Sequence, residues 1–269
     1  MSGFSASWLA LRQPYDRVAR NVAVLAVVDA TMRRKDKLRI LDLACGAGAS
    51  VGALSGRSRA AQAWRLVDKD AGLLALAARL PLPPHVAVET ALRDLSRDMA
   101  EELRRPLDLV TVSALLDLVS EAWLAEFVAE LARRAIPLYA ALTYDGRMSF
   151  DPSDPLDEEI VAAVNVHQRG DKGFGPSLGP TAAAAAIGRL DAAGFHVTHG
   201  ASDWHLGPQD RAIQTALLDG AAAAAWEAGR PSARHVASWL AGRRDAVAAG
   251  RSAIRVGHVD FVAVPSGTR

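Results

Sequence analysis

Between residues 38 and 145 the chain alternates five short apolar segments with segments of helical periodicity, and no other feature limits its fold as strongly. A buried strand needs a short apolar run, whereas a helix that packs on a sheet needs apolar residues three or four positions apart. Repeated strand–helix units give a parallel sheet with helices on both faces. The sequence therefore predicts a doubly wound α/β fold, whose ligands bind beyond the carboxyl ends of the strands. The strands are predicted at residues 38–43, 63–68, 85–89, 107–112 and 136–144.

The segments outside this alternation are predicted as additions to the same sheet. Residues 1–37 form an N-terminal helical segment, in which one helix runs from Pro14 to about Thr31. Further strands are expected at residues 195–204 and 254–264. No linker is long enough to divide the chain, so residues 1–269 are predicted as one domain, in which residues 146–180 and 206–250 are insertions that cap the site or contact the substrate.

Charge and composition exclude several classes of protein. The 31 Lys and Arg against 30 Asp and Glu give a net charge of +1, without the basic stripe of a general nucleic-acid binder. No apolar run approaches the roughly 18 residues that mark a membrane-spanning helix. Cys45 is the single cysteine, so no internal disulfide can form and a reducing, cytoplasmic location is expected.

The loop between the first strand and the next helix carries the clearest ligand signal. Gly46 and Gly48 allow its backbone to approach a ligand closely. The second strand ends at Asp68, 20 residues beyond Gly48, where a carboxylate can accept hydrogen bonds from both hydroxyls of a ribose. A nucleoside is therefore expected across the first two strand ends.

A dinucleotide is the competing ligand, and two residues count against it. The NAD fingerprint has a third glycine three residues after the second, where this chain has Val51. Asp42, expected at the mouth of the loop, would repel a pyrophosphate but suits a ligand with a cationic end. S-adenosylmethionine carries an ammonium and a sulfonium and no phosphate.

The segment Asp42-Leu-Ala-Cys-Gly-Ala-Gly48 resembles the first motif of the class I S-adenosylmethionine-dependent methyltransferases, with Ala44 at the first of three glycine positions. The resemblance covers about residues 38–145. It implies a three-layer Rossmann-like sheet of about seven strands, mostly parallel with the last strand antiparallel, plus helical insertions. It also implies S-adenosylmethionine as cofactor, bound at Asp42, Ala44, Cys45, Gly46, Gly48, Asp68, Lys69, Asp94, Leu95, Ser113 and Ala114.

Within this set the resemblance assigns Asp68 to the ribose and Asp94 to the adenine amino group, with Leu95 near the ring. Asp94 has an alternative role as the N-cap of the helix that begins at Leu95, since aspartate is favoured there. Cys45 is expected to contribute its backbone and not a nucleophilic thiol.

The activity implied is methyl transfer to a small-molecule acceptor by in-line displacement, in which the enzyme aligns nucleophile and methyl. A general base is needed only if the nucleophile must lose a proton. Asp117 after the fourth strand, Tyr144 at the end of the fifth and His167 are the candidate catalytic residues. The candidate substrate-binding residues, from the N-terminal segment and the polar loop after His167, are Arg12, Tyr15, Gln168, Arg169, Lys172 and Phe174.

Alternatives stay open at this point. They are a NAD-dependent oxidoreductase, a non-catalytic S-adenosylmethionine-binding protein, and a methyltransferase with an RNA or protein acceptor. His196, His199 and His205 could suggest a metal site, but none is expected. His196 and His199 would lie on opposite faces of a strand, and the three histidines have no cysteine partner. Neither a nucleic acid nor a membrane is an expected partner, and a homodimer is left open, with residues 208–249 as a cap or an oligomer contact.

Overall fold

The predicted strands form one eight-stranded sheet in the computed structural model, which describes residues 5–267. The strands are β1 (Lys37–Leu43), β2 (Ala61–Asp68), β3 (Val86–Leu92), β4 (Leu109–Ser113), β5 (Leu138–Asp151), β6 (Phe195–Ala201), β7 (Trp204–Leu206) and β8 (Ala253–Pro265). Their order is β3-β2-β1-β4-β5-β8-β6, with β7 also paired to β8. Strands β1 to β5 are parallel, while β8 runs antiparallel between β5 and β6.

This topology confirms the predicted α/β sheet and its antiparallel last strand. The sheet has one strand more than predicted, because residues 195–204 break into β6 and the three-residue β7. The reversal of strand order beside β1 leaves the carboxyl ends of β1, β2 and β4 next to one another, which is where such sheets bind ligands.

Helices cover both faces of the sheet and give the three layers that were predicted. The helices are α1 (Ala6–Ala19), α2 (Val22–Met32), α3 (Ala49–Leu54), α4 (Ala71–Ala77), α5 (Leu95–Leu103), α6 (Glu121–Arg134), α7 (Asp157–Gln168), α8 (Ala182–Ala192), α9 (Arg211–Ala228) and α10 (Ala233–Ala248). Apolar residues of α2, α3 and α4 share one core with the sheet, and those of α5, α6 and α8 share another. No helix within residues 5–267 is long and apolar enough to span a bilayer.

The helices that follow β2, β3 and β4 begin at side-chain caps, as their sequences favour. Asp70 accepts backbone hydrogen bonds at the start of α4, Asp94 does so for α5, and Ser120 for α6. Each cap satisfies a backbone N–H that would otherwise lack a partner in the first turn. Short loops therefore lead from β2 and β3 directly into α4 and α5.

The single N-terminal helix predicted from Pro14 is wrong. The segment forms α1, with Pro14 inside it, and α2, and the chain turns sharply at Arg20 and Asn21. Asn21 caps α2 with its side chain, while the Arg20 side chain reaches Tyr139 in β5. Tertiary contacts at this junction therefore override the continuous apolar periodicity.

A third hydrophobic core lies against the carboxyl-terminal half of β5. This strand runs seven residues past its predicted end at Tyr144, to Asp151, and pairs there with the first half of β8. Apolar residues of α7, α9 and α10 pack on this extension together with β7. The two predicted insertions are thus organised around a lengthened strand pair.

Candidate functional site

The glycine loop, residues 44–48, joins β1 to α3 at the carboxyl edge of the sheet. Its backbone is left-handed at Ala44 (φ +51°), Gly46 (φ +54°) and Gly48 (φ +87°). The left-handed conformation favours glycine at position 48, where an added Cβ would also displace the end of the Leu80 side chain, 2.4 Å away. Ala44 keeps its methyl in a conformation that costs an L-residue about 1–2 kcal/mol.

Asp68, at the end of β2, binds this loop directly. Its Oδ2 accepts a hydrogen bond from Gly46 N at 2.8 Å and its Oδ1 accepts one from Asp70 N at 2.9 Å. The neighbouring Cys45 N donates to Val67 O at 3.0 Å, which ties the loop to β2 a second time. Each carboxylate oxygen of Asp68 keeps a second lone pair. The glycine loop and Asp68, which a bound nucleoside would contact together, are therefore adjacent.

The prediction that Asp42 lies at the mouth of the loop is wrong. Its side chain is 0% exposed. It lies between the sheet and α3, where Thr111 Oγ1 donates to Oδ1 at 2.7 Å, and Oδ2 has no partner within residues 5–267. Burial raises the pKa of Asp42 to about 6, although hydrogen bonds from Thr111 and Ser50 and the charge of Arg20 oppose the rise. Asp42 can therefore act on a ligand only from beneath the loop, and the argument from direct contact with a cationic group fails.

Arg20 is a buried cation near this carboxylate that the sequence analysis did not include in the site. Its Nη1 donates to the Tyr139 hydroxyl at 2.9 Å, and that hydroxyl donates to Asp260 Oδ2 at 3.3 Å. Burial opposes the charge of Arg20, but Tyr139, Asp260 and Asp16 raise its pKa above the ordinary value. Only the folded chain brings Arg20, from the junction of α1 and α2, close enough for its charge to act on Asp42.

At the end of β3, Asp94 takes the alternative role considered for it and caps α5. Its Oδ1 accepts hydrogen bonds from Ser96 N at 3.0 Å and Ser96 Oγ at 2.7 Å. These bonds hold the pKa of Asp94 below its usual value, helped by the charge of Lys69. The Leu95 side chain is buried in the core, and its carbonyl accepts a hydrogen bond from Trp123 Nε1 at 2.7 Å. Only the backbone of Leu95 is therefore available to a ring.

The end of β4 presents Ser113 and Ala114, both partly exposed, and then the buried Asp117. Asp117 Oδ1 has no hydrogen-bond partner within residues 5–267. Burial raises the pKa of Asp117 to about 6, while backbone hydrogen bonds, including one at Tyr144, and the charge of Arg12 oppose the rise. A carboxyl group with this pKa can take up a proton near neutral pH.

Helix α1 covers the glycine loop and brings Arg12 into the site. A Cβ at Gly46 would lie 3.2 Å from Leu9 Cδ1. One turn further on, Arg12 Nε pairs with Asp16 Oδ2 at 2.9 Å, and the guanidinium carbon lies 5.2 Å from the centre of the Trp204 ring. The predicted substrate residue Arg12 is thus buried in a cluster and is not a surface charge.

Tyr144 and His258 lie side by side because they are paired in the β5–β8 ladder. Their ring centres are 6.2 Å apart, and the His258 ring is 5.0 Å from Trp204. The Tyr144 hydroxyl donates to Asn165 Oδ1 at 2.9 Å, and burial raises the pKa of this tyrosine. Burial and the charge of Arg12 lower the pKa of His258 to about 3, so its ring is neutral. His258 lies in an apolar strand, and sequence reasoning missed it.

The loop after α7, residues 169–180, lies at the same edge of the sheet. Ser177 Oγ donates to Leu118 O at 2.8 Å, which holds the loop against the segment that follows β4. A Cβ at Gly173 would lie 3.8 Å from Lys69 Nζ, at the end of β2. The loop therefore reaches from one strand end to another across the candidate site.

Two predicted residues lie away from this site. His167 Nε2 is 3.0 Å from Glu227 Oε2, so the imidazole pairs with α9 at the surface and does not face Asp117. The Tyr15 hydroxyl donates to Asp210 Oδ1 at 2.9 Å, in front of α9. Both residues are polar groups on helices that pack against α9, and their residue types alone could not indicate which neighbour they would face.

The polar loop after α7 divides into one apolar anchor and three polar side chains. Phe174 packs against the core, with its ring 5.6 Å from that of Trp123 in an edge-on arrangement. Arg169 is exposed, and Gln168 and Lys172 are half-buried. Phe174 thus anchors the loop, and the three polar residues stay candidate substrate contacts.

A cavity of about 290 Å³ lies between α1 and the strands β6 to β8. Its walls include Tyr15, Val18, Ala201, Trp204, His205 and Arg255. Trp204 is shared between this cavity and the cluster around Arg12 and His258. The cavity therefore borders the packed rings of Trp204 and His258.

The histidines of β6 and β7 do not converge. His196, His199 and His205 are paired with three different positions of β8, namely Val264, Phe261 and Arg255. Within residues 5–267 no group of three His, Cys, Asp or Glu residues is arranged to hold a metal ion.

The fold has close counterparts among solved structures. The cyclopropane synthase MmaA2 from Mycobacterium tuberculosis is 12% identical, with a TM-score of 0.50 over 97% of this chain and 94% of that one. A cyclopropane-fatty-acyl-phospholipid synthase-like protein from Lactobacillus casei is 12% identical, with a TM-score of 0.51 over 97% and 95% of the two chains. No protein-family model matches the sequence, and no curated protein matches it.

The strand order and these likenesses show that the chain shares the α/β fold of these solved structures. The antiparallel β8 between β5 and β6 is the feature that the resemblance implied and that a dinucleotide-binding sheet of order 3-2-1-4-5-6 lacks. At this level of identity the comparison concerns the fold, and the activity is argued from the site.

Proposed function

We propose that this protein is an S-adenosylmethionine-dependent methyltransferase that acts on a small molecule. The observation that supports it most is the junction of the glycine loop with β2, where Asp68 contacts Gly46 in a sheet whose β8 is antiparallel. A nucleoside with no phosphate suits this junction, because Asp68 offers lone pairs to a ribose and the loop carries no third glycine for a pyrophosphate.

The residues that would hold the cofactor suit both its nucleoside end and its positively charged end. The left-handed backbone at Gly46 and Gly48 leaves the loop without side chains where a ligand must approach. Asp68 and Asp94 supply the carboxylate acceptors beside β2 and β3 for the nucleoside. Asp42 adds negative potential from beneath the loop. When bound, the cofactor supplies an electrophilic methyl group on a sulfonium.

The acceptor side is formed by the residues after β4 and β5. Asp117 is the candidate general base, because its carboxyl group is buried, has a free oxygen and has a pKa of about 6. Tyr144 is a positioning residue and not a base, because its hydroxyl is committed to Asn165 and its pKa is raised. Arg12 places a positive charge near Asp117. These groups would align a nucleophile with the methyl for in-line displacement.

Calorimetric titration with S-adenosylhomocysteine tests the cofactor assignment. The wild-type chain should bind it, and Asp68→Asn should weaken binding about tenfold or more, because each lost charged hydrogen bond is worth about 1.5–3 kcal/mol. Asp70→Asn is the matched control, since Asp70 caps α4 two residues further on through its own side chain.

Titration with NAD in the same experiment tests the alternative that the protein is a NAD-dependent oxidoreductase. Binding of NAD without S-adenosylhomocysteine would overturn the proposal in favour of an oxidoreductase. Binding of S-adenosylhomocysteine without methyl transfer to any member of a broad acceptor panel would instead indicate a non-catalytic binding protein.

A further inference from the structure

The cavity between α1 and the strands β6 to β8 has the size of a small ligand site. Its volume of about 290 Å³ is close to the lower end of the range for small-molecule pockets, roughly 300–1,000 Å³, which suits a ligand with a single ring. None of the described residues that line it belongs to the glycine loop or to the segments that follow β2, β3 and β4. The cavity is therefore separate from the site proposed for the cofactor.

Apolar and aromatic side chains form much of the cavity wall. Ala19 and Ala201 line it from α1 and β6 and are too small to fill it, while Tyr15 and Trp204 contribute their rings. Val18 lines the cavity and is also 86% exposed, so it lies at the opening. An apolar group that covered this valine would remove hydrocarbon surface from water, which is favourable.

Hydrogen bonds fix the two sides of the cavity relative to each other. Trp204 Nε1 donates to Asp16 Oδ1 at 3.1 Å, so β7 is bonded to α1. At the junction of α1 and α2, Asn21 Nδ2 donates to Ala201 O at 2.9 Å, so β6 is bonded to the same segment. The space is therefore formed before a ligand enters, and a ligand need not order its walls.

Arg255 supplies a free hydrogen-bond donor to the cavity. Its Nε and Nη2 pair with Asp203 Oδ2 at 2.8 Å and 2.5 Å, while its Nη1 has no partner within residues 5–267 and its side chain is 51% exposed. Asp203 is buried, and its Oδ1 already accepts from Arg147 Nη2 at 3.0 Å and from His258 N at 3.1 Å. The accessible member of the Arg255–Asp203 pair is therefore the cation.

We propose that this cavity binds a small amphipathic carboxylate, whose charged end pairs with the Arg255 guanidinium and whose apolar body covers Val18. A guanidinium can donate two parallel hydrogen bonds to a carboxylate, which a neutral amide oxygen cannot match. An amine would meet Arg255 as a like charge and would find the oxygens of Asp203 occupied. This second site goes beyond methyl transfer and does not depend on it.

Saturation-transfer NMR with 3-phenylpropanoate, 3-phenylpropanamide and 3-phenylpropylamine tests the proposal. The three probes share one ring and linker and differ in the charge of the polar end. The carboxylate should bind about fivefold or more tightly than the amide, because charge-assisted hydrogen bonds are stronger, even though solvent screens the half-exposed Arg255. The amine should bind more weakly than the amide. An excess of S-adenosylhomocysteine should leave the carboxylate bound, because the two sites share no residue.

Two pairs of substitutions locate the ligand. Arg255→Met should abolish the preference for the carboxylate, whereas Arg251→Met removes an exposed arginine outside the lining and should keep the preference within about twofold. Val18→Asp should weaken carboxylate binding about threefold or more, because it removes apolar contact and adds a like charge. Val22→Asp changes a similarly exposed valine outside the lining and should leave binding unchanged.

Several results would overturn the proposal. They are equal binding of carboxylate and amide, preferential binding of the amine, binding of none of the three probes, and displacement of the carboxylate by S-adenosylhomocysteine. An unchanged preference in Arg255→Met, or the same losses in the Arg251→Met and Val22→Asp controls, would also overturn it.

Discussion

The buried carboxyl group of Asp42 gives a quantitative test of the electrostatics beneath the glycine loop. Burial raises its pKa from 3.8 to about 6, against the opposing effects of Thr111, Ser50 and Arg20. A pKa difference of that size between unfolded and folded chains corresponds to about 3 kcal/mol. Because the group binds a proton more tightly when folded, its contribution to stability is fully present below about pH 4. That contribution is lost as the pH rises through about 6.

Asp42→Asn isolates this contribution because it removes the titrating group and keeps an oxygen that can accept from Thr111. The free energy of unfolding, measured by urea titration of both proteins between pH 4 and pH 8, should shift in favour of the variant by about 3 kcal/mol as the pH rises. Groups other than Asp42 titrate in both proteins, so their effects cancel in the difference.

The exposed Asp245 supplies the control for loss of one negative charge. It lies on the exposed surface of α10, so Asp245→Asn removes one negative charge without altering a buried group. A constant difference for Asp42→Asn, or one that moves against the variant with rising pH, would refute the reasoning. The charge of Arg20 would then offset the burial of Asp42 well enough for the carboxyl group to ionise without loss of stability.

Three further predictions concern the same loop. Gly48→Ala should lower the free energy of unfolding by about 2–4 kcal/mol, because φ is +87° and the added methyl meets Leu80. The control is Gly52→Ala in α3, where the Cβ has open space and the free energy of unfolding should rise by up to about 1 kcal/mol. Equal effects of the two substitutions in urea titrations would contradict this account. Ala44→Gly should stabilise by about 0.5–1 kcal/mol, since relief of the strain at φ +51° exceeds the added freedom of the unfolded chain, and a loss of stability in the same assay would count against it. Iodoacetamide at pH 8 should leave the Cys45 thiol unmodified until urea unfolds the chain, because burial raises the pKa of this thiol, and rapid alkylation monitored by mass spectrometry would show that the loop opens.

The hydrophobic periodicity and the turn residues were enough to predict the strands of the sheet from the sequence. The strands of residues 38–145 were predicted because each lies between a helical segment and a loop, and a buried parallel strand needs only a short apolar run. The glycine loop and Asp68 were recognisable for a similar reason. Both depend on local backbone geometry at a strand end, which residue type and spacing specify directly.

Side-chain destinations were less predictable where several neighbours compete for the same group. His167 was expected over the strand ends, but α9 places Glu227 within 3.0 Å of its ring. His258 was overlooked, since nothing in an apolar strand indicates that its register will pair it with Tyr144. Register is set by the whole hydrophobic face and by neighbouring strands, and one strand's sequence does not contain that information.

The sequence by itself determined the order of strands and helices, the glycine-rich turn and the acid at the end of β2, because these depend on local propensity and spacing. Only the tertiary structure decided that Asp42 is buried. It also decided that the Arg12 guanidinium and the His258 ring both pack on Trp204. Burial and charge pairing are properties of groups far apart in the chain, and they exist only once the helices close over the sheet.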